Sequence, residues 1–463
     1  MSDILSPSLD RNSPPALRPA RDFVFPSFSR HRLNNGLPVV LAPDPTLPLA
    51  RLELFAPAGG EHDPEGLDGI ATFTASLLDE GSTRRDSRAI AHAAEALGGS
   101  LTTDAGWNAA YVSTFGLSTH LEATVELLSE VVLEPAFPTR EIRRLAERRQ
   151  ASLLQRRDDS QALANLYLDR ALYGDALYGS SLHGNEASLE KIDETAIRNF
   201  YQRHYRCQGA FLVAAGAVSE DQLLPLLDSS FGRLDLGPAP LHPTYPESAP
   251  GERRVWIVHR PAAAQTELRV GHVGVPRTDP EYGSLMVLNA LLGGKFISRI
   301  NLNLREVHGF TYGAHSRFIG RRGAGPFKVQ TAVATEVAGR ATEEILKEME
   351  ILRREAVDLE ELEDTANYLT GIFATQLQTF DDLAARLTLL PLYDLPDDYF
   401  DQYLESFRSV TPEGLLDLAQ RHLHPAQATI LAVGPADALK EQLSSLGPVT
   451  VWDPQKDEIL EDS

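Results

Sequence analysis

The chain is built twice on one plan, and that repetition limits what it can fold into. An apolar segment, Arg51-Leu-Glu-Leu-Phe55, leads into the turn Asp63-Pro-Glu-Gly66; later Glu267-Leu-Arg-Val270 leads into Asp279-Pro-Glu-Tyr-Gly283. The two Asp-Pro-Glu turns, at 63 and 279, are 216 residues apart. Near the end of each half, Ala210-Phe-Leu-Val-Ala-Ala-Gly-Ala217 matches Ala428-Thr-Ile-Leu-Ala-Val-Gly-Pro435, 218 residues on. A near-constant offset over such a span marks an internal repeat. Alternating or β-branched runs at 108–116 and 327–334 read as strands, and helical patterns follow at 119–134 and 336–356. A chain of 463 residues also exceeds what one hydrophobic core holds.

The fold class expected is therefore α+β: two homologous domains, each a mixed β-sheet with helices packed mainly on one face. The first domain is expected over 30–235 and the second over 253–450. A proline-rich linker at 236–252 separates them. An N-terminal extension (1–29), mobile or laid across a neighbouring surface, and a C-terminal tail (451–463) flank the pair.

Sixty-five acidic residues against 43 basic ones give a formal charge of −22. That balance opposes binding to nucleic acid or anionic membrane and matches an acidic bacterial-type cytoplasmic proteome. No apolar run approaches the roughly 18–20 residues of a membrane span. Met1-Ser-Asp-Ile-Leu-Ser-Pro-Ser8 lacks the basic start and apolar core of a secretory signal, so a cytoplasmic location is expected. Cys207 is the only cysteine, which excludes an intramolecular disulfide; with no partner pattern around it, it reads as a structural thiol.

After Gly66 comes Leu-Asp-Gly-Ile-Ala-Thr-Phe-Thr-Ala-Ser-Leu-Leu-Asp-Glu-Gly-Ser-Thr83. On a helix, Leu67, Ile70, Phe73, Leu77 and Leu78 form a core face, while Thr72, Ala75 and Ser76 form a second stripe. Small uncharged residues there suit a cavity wall or simple close packing. This segment resembles the zinc-binding helix of the pitrilysin/insulinase-like metallopeptidases, in which a His-x-x-Glu-His run supplies two metal ligands and a catalytic carboxylate. The matching positions here are Thr72, Ala75 and Ser76, and none performs that chemistry. The family's distal glutamate ligand matches Ser152 or Leu153 on the helix near 140–159; Glu147 falls too early. No metal or other cofactor is expected in this chain. His422 and His424 are too close for a helical ligand pair, and His308 and His315 read as surface or hydrogen-bonded residues.

The second half carries Asn303-Leu-Arg-Glu-Val-His-Gly-Phe-Thr-Tyr-Gly313. Read alone, Arg305 is a helix-terminal arginine paired with Glu306 or another acid, and Tyr312 is a core tyrosine. The segment is also similar to the family's Leu-Arg-Glu-x-x-Gly-x-x-Tyr element, whose Arg and Tyr point at the peptide held near zinc. The resemblance covers the chain from Leu33 to about Leu446. It implies the non-catalytic, substrate-binding subunit of a heterodimeric zinc peptidase, with Arg305 and Tyr312 as substrate-binding residues and no catalytic residue in this chain alone. The partner it implies is a homologous subunit carrying His-x-x-Glu-His and the zinc, and the substrates are unstructured peptides. The alternative is a pseudopeptidase scaffold with no proteolytic role. The basic run Arg143, Arg144, Arg148, Arg149, Arg156 and Arg157 either lines the chamber between the subunits or forms a solvated face.

Overall fold

A computed structural model of the chain describes residues 23–234, 236–245 and 251–462. The first sheet comprises β1 (Ser29–Arg32), β2 (Pro38–Pro43), β3 (Leu49–Ala56), β4 (Ser100–Ala105), β5 (Ala110–Leu117) and β6 (Phe211–Gly216). The second comprises β7 (Arg254–His259), β8 (Thr266–Val273), β9 (Ala314–Phe318), β10 (Pro326–Val333), β11 (Thr429–Gly434), β12 (Val449–Asp453) and β13 (Glu458–Asp462). Their orders are β1-β2-β6-β3-β5-β4 and β13-β12-β7-β11-β8-β10-β9.

Stripped of β1, β12 and β13, the two sheets have the same topology. In each, the first strand runs parallel to the last (β2 with β6, β7 with β11), and the remaining pairs are antiparallel. Strands β2 and β7 begin at 38 and 254, the same 216-residue offset that separates the Asp-Pro-Glu turns. Every residue of β6 and β11 is buried, which explains why these two segments read as continuous apolar runs.

Each half also lends a helix to the other. Alternate residues of a strand face opposite sides of its sheet, and the two sides of β6 have different neighbours. Leu212 and Ala214 face the first half's own core, with Phe73 and Leu128. Phe211, Val213 and Ala215 join the second half's core. The second-half helix Phe380–Leu392 packs on β6 and β3. Reciprocally, the first-half helix Ser160–Tyr173 lies on β8 and β11, with Leu163, Tyr167 and Leu168 against Val258, Leu431 and Trp452. Each sheet thus carries its own helices on one face and a borrowed helix on the other.

Two expectations need adjustment, and of the two offered for the N-terminal extension one holds for its described part. Residues 451–462 are not a free tail, because β12 adds to β7 in parallel and β13 closes the edge. Residues 23–28 of the N-terminal extension cross to the second half, where Phe25 stacks on Phe400 at 4.4 Å; residues 1–22 lie outside the described residues. The stretch Tyr282–Val307, with mean hydropathy 1.2, is long and apolar enough by composition to span a membrane. Its apolar window is 61% buried inside the protein, as suits a core helix of the second domain.

Candidate functional site

The helix that matches the family's zinc helix is short, Ile70–Ala75, and its start is built by the Asp-Pro-Glu turn. Asp63 accepts from the Gly69 N–H at 2.6 Å and the Ala71 N–H at 3.0 Å, satisfying donors that a helix start leaves unpaired. Gly69 sits at φ +89°, and a Cβ there would lie 2.5 Å from the Gly184 nitrogen. Only glycine lets the 183–184 loop press so closely on the helix start.

Thr72 and Ala75 are fully buried and Ser76 is half-buried. Of the two readings of this stripe, close packing holds. What packs on it is the guanidinium of Arg149, from the long helix Thr139–Arg156. Nη2 donates to the Thr72 carbonyl at 3.1 Å and to Ser76 Oγ at 3.0 Å. Nη1 donates to Thr72 Oγ1 at 3.3 Å and lies 3.1 Å from His183 Nδ1. Since arginine has no acceptor, His183 Nδ1 must accept. Burial, reinforced by Arg156 and Arg149, pushes the His183 pKa down to about 4, so the ring stays neutral. Burial, with Arg156 and Arg148 nearby, also lowers the Arg149 pKa below the usual arginine value.

These residues do not fit zinc. Two hydroxyls and a methyl replace two imidazoles and a carboxylate, and a fixed cation lies across them. The residue of the facing helix that reaches the stripe is Arg149, not Ser152 or Leu153. Its role was missed because it was grouped with its basic neighbours. The signal was present: Ile142 and Leu145 are the buried positions of this helix, and Arg149 continues that spacing inward. Of the rest of the basic run, Arg156 is half-buried, with its charge near Arg149 and His183. Arg143 and Arg148 are exposed, Arg144 pairs with Glu80 and Glu141, and Arg157 pairs with Glu186.

Arg305 lies on a widened helical turn, Leu302–Val307, in which the His308 N–H bonds back five residues to the Asn303 carbonyl. Such π turns are frequent at functional sites. The Arg305 guanidinium pairs with Glu306 at 2.8 Å and lies over the Phe296 ring at 4.1 Å. Tyr312 stands in the loop before β9 and is 95% exposed. The ion pair expected of a merely structural arginine is present, but the core tyrosine is not. Phe296, Ile297 and Val307 are exposed beside them in the chain.

The remaining candidates have plain roles. His422 bonds Glu281 at 3.0 Å, and His308 lies 3.8 Å from Glu344. Cys207 is buried, and burial pushes its thiol up to about 11, which suits an inert structural residue. Nothing local in the chain hints that Glu61, His62 and His242 converge, since 180 residues separate the last two.

Residues 38–186 match the family model described as insulinase (peptidase family M16), and residues 191–369 match that described as peptidase M16 inactive domain. An uncharacterized zinc protease of Mycobacterium tuberculosis is 26% identical over 409 residues, covering 88% of this chain and 93% of that protein. A Helicobacter pylori protein named as a non-peptidase homolog, YmxG, is 22% identical over 396 residues, covering 83% and 89%. The crystal structure of a peptidase M16 inactive domain from Pseudomonas fluorescens matches with a TM-score of 0.83 at 25% identity, covering 88% of this chain and 98% of that one. With its doubled sheet topology and both halves matched, the chain belongs to peptidase family M16.

Proposed function

We propose that this chain is the non-catalytic, substrate-binding subunit of a heterodimeric zinc peptidase. In this reading a homologous partner carries His-x-x-Glu-His and the zinc. Arg305 and Tyr312 hold the peptide there and stabilise the oxyanion that forms when its carbonyl is attacked. Arginine offers several rigid, permanently charged donors and tyrosine one more, aimed where negative charge develops. The observation that carries the reading is the contrast between the two halves. Thr72, Ala75 and Ser76 are closed over by Arg149, while the Tyr312 hydroxyl stands free on the surface. Exposed Phe296, Ile297 and Val307 add the kind of apolar surface that partners and peptides cover.

A second reading, a scaffold without proteolytic role, draws on the Arg305–Glu306 pair, which occupies the arginine in the free chain. Glu306 is more than half exposed, so the pair is solvent-screened and readily exchanged for a peptide carbonyl. The test is to co-express the chain with a zinc-motif homologue and assay an unstructured peptide with each subunit alone and with both. Hydrolysis by the mixture only supports the proposal. Full activity of the zinc-motif subunit alone removes it and leaves the scaffold.

A further inference from the structure

We propose that Glu61, His62 and His242 form a binding site for a divalent transition metal of the zinc class, which clips the interdomain linker onto the first domain. The site is separate from Thr72, Ala75 and Ser76. Glu61 and His62 come from the short turn Gly60–His62, and His242 comes from the linker. One potential ligand atom from each lies within 4.8 Å of the other two. Glu61 Oε1 is 3.6 Å from His62 Nε2 and 3.8 Å from His242 Nδ1. A tetrahedral zinc with bonds of about 2.0–2.2 Å sets its ligand atoms roughly 3.3–3.6 Å apart, so closing the set takes shifts on the order of an ångström. His242, half exposed, is free to make them.

The surroundings suit a bound cation. Glu61 Oε1 and His62 Nε2 are buried and have no hydrogen-bond partner among the described residues, on side chains 0% and 4% exposed. Such atoms are costly to leave unpaired. The second carboxylate oxygen, Oε2, is already engaged, accepting from Asn108 Nδ2 at 2.5 Å and from the Tyr245 hydroxyl at 2.8 Å. That fixes the carboxylate with Oε1 toward the histidines, as outer-shell partners do for metal ligands. His204 stacks on the His62 ring at 4.9 Å and holds its plane. Two imidazoles and one carboxylate suit zinc-class ions rather than calcium or magnesium, which take oxygen ligands. An open cleft of 640 Å³ reaches the His62 side of the site, and water completes the ion's coordination.

Arg322 of the second domain competes for the same oxygen. Its Nε is 3.4 Å from Glu61 Oε1, close enough for charge attraction but without a hydrogen bond. Metal binding displaces it, exchanging an interdomain ion pair for a clip on the linker.

The untagged full-length chain, stripped with a chelator, is titrated with zinc by calorimetry and with cobalt(II) by visible absorption. One zinc per chain is expected, with cobalt bands typical of nitrogen and oxygen ligands. His242→Ala, at a half-exposed position that leaves the fold intact by circular dichroism, should weaken zinc binding at least tenfold and remove those bands. Arg322→Gln should tighten zinc severalfold, a response that scattered surface histidines would not give. Absence of zinc binding to the wild type overturns the proposal. So does binding that neither His242→Ala nor Arg322→Gln alters. These results do not bear on Arg305 and Tyr312, which lie on the second domain.

Discussion

Arg149 donates to the Thr72 carbonyl at 3.1 Å, and with its bond to Ser76 it covers the stripe that would face a metal in an active relative. A guanidinium hydrogen-bonded onto the stripe itself opposes a dication placed there.

Rebuilding the motif alone should therefore fail. In a His242→Ala background, which silences the site proposed at Glu61, the triple change Thr72→His, Ala75→Glu and Ser76→His should bind no zinc. Adding Arg149→Glu should give one zinc per chain, measured by elemental analysis after dialysis. Zinc binding by the triple variant with Arg149 intact contradicts the blocking role.

Arg149 fills space more than it stabilises. The Thr72 carbonyl already accepts from Ser76, from its N–H at 3.1 Å and its hydroxyl at 2.8 Å, so loss of the guanidinium orphans little besides His183 Nδ1. Burying a cation without a carboxylate bonded to it is itself unfavourable, and Arg149→Met should change unfolding stability by no more than about 1 kcal/mol. A loss of several kcal/mol in denaturant titration would assign Arg149 a structural role instead.

The doubled plan was legible because residue type reports burial. The fully buried β6 and β11 require apolar runs, and helix-start turns select Asp-Pro-Glu, so both left matching marks in the two halves. Arg305 and Tyr312 were legible only through the resemblance, for nothing local distinguishes an exposed Tyr312 from a core tyrosine. The helix exchange, the filling of the stripe by Arg149 and the meeting of Glu61 with His242 depend on contacts between distant segments. Sequence periodicity carries no information about which distant surface a helix will cover. The final strands β12 and β13 were hidden for a similar reason, since β12 gains its place only by pairing with the distant β7, and the short, partly polar edge strand β13 looks like tail.

Acid should weaken the fold through His183. Its pKa is about 4 when folded against 6.5 for the free side chain, so as pH falls through 6.5 the unfolded chain takes up a proton that the folded chain refuses. Stability from this residue is complete above about pH 6.5, is lost progressively toward pH 4 and then levels off, a loss of about 3 kcal/mol at most. Other buried histidines such as His272, pushed down to about 3, add a slope of the same sign, so the readout is a difference. The stability gap between wild type and His183→Gln should fall between pH 7 and pH 4. A gap that stays constant with pH contradicts the assignment.

The helix exchange makes each half depend on the other. Leu168 belongs to the first half but is buried against the second half's sheet. Leu168→Ala should cost about 2–5 kcal/mol, as a large-to-small change in a packed core does. Amide exchange should rise in β8 and β11 more than in β3 and β6. Faster exchange confined to the first sheet would mean the borrowed helix is not a stabilising part of the second.

The subunit reading rests on Tyr312 and Arg305 acting at a zinc site they do not carry. The most direct measurement is kcat/KM for an unstructured peptide, using purified complexes of a zinc-motif homologue with wild-type chain, Tyr312→Phe or Arg305→Ala. Loss of one oxyanion donor costs about 2.7–4 kcal/mol elsewhere, so each variant should lower kcat on the order of a hundredfold or more while the complex stays intact by gel filtration. Unchanged kcat in intact complexes of both variants would contradict the account.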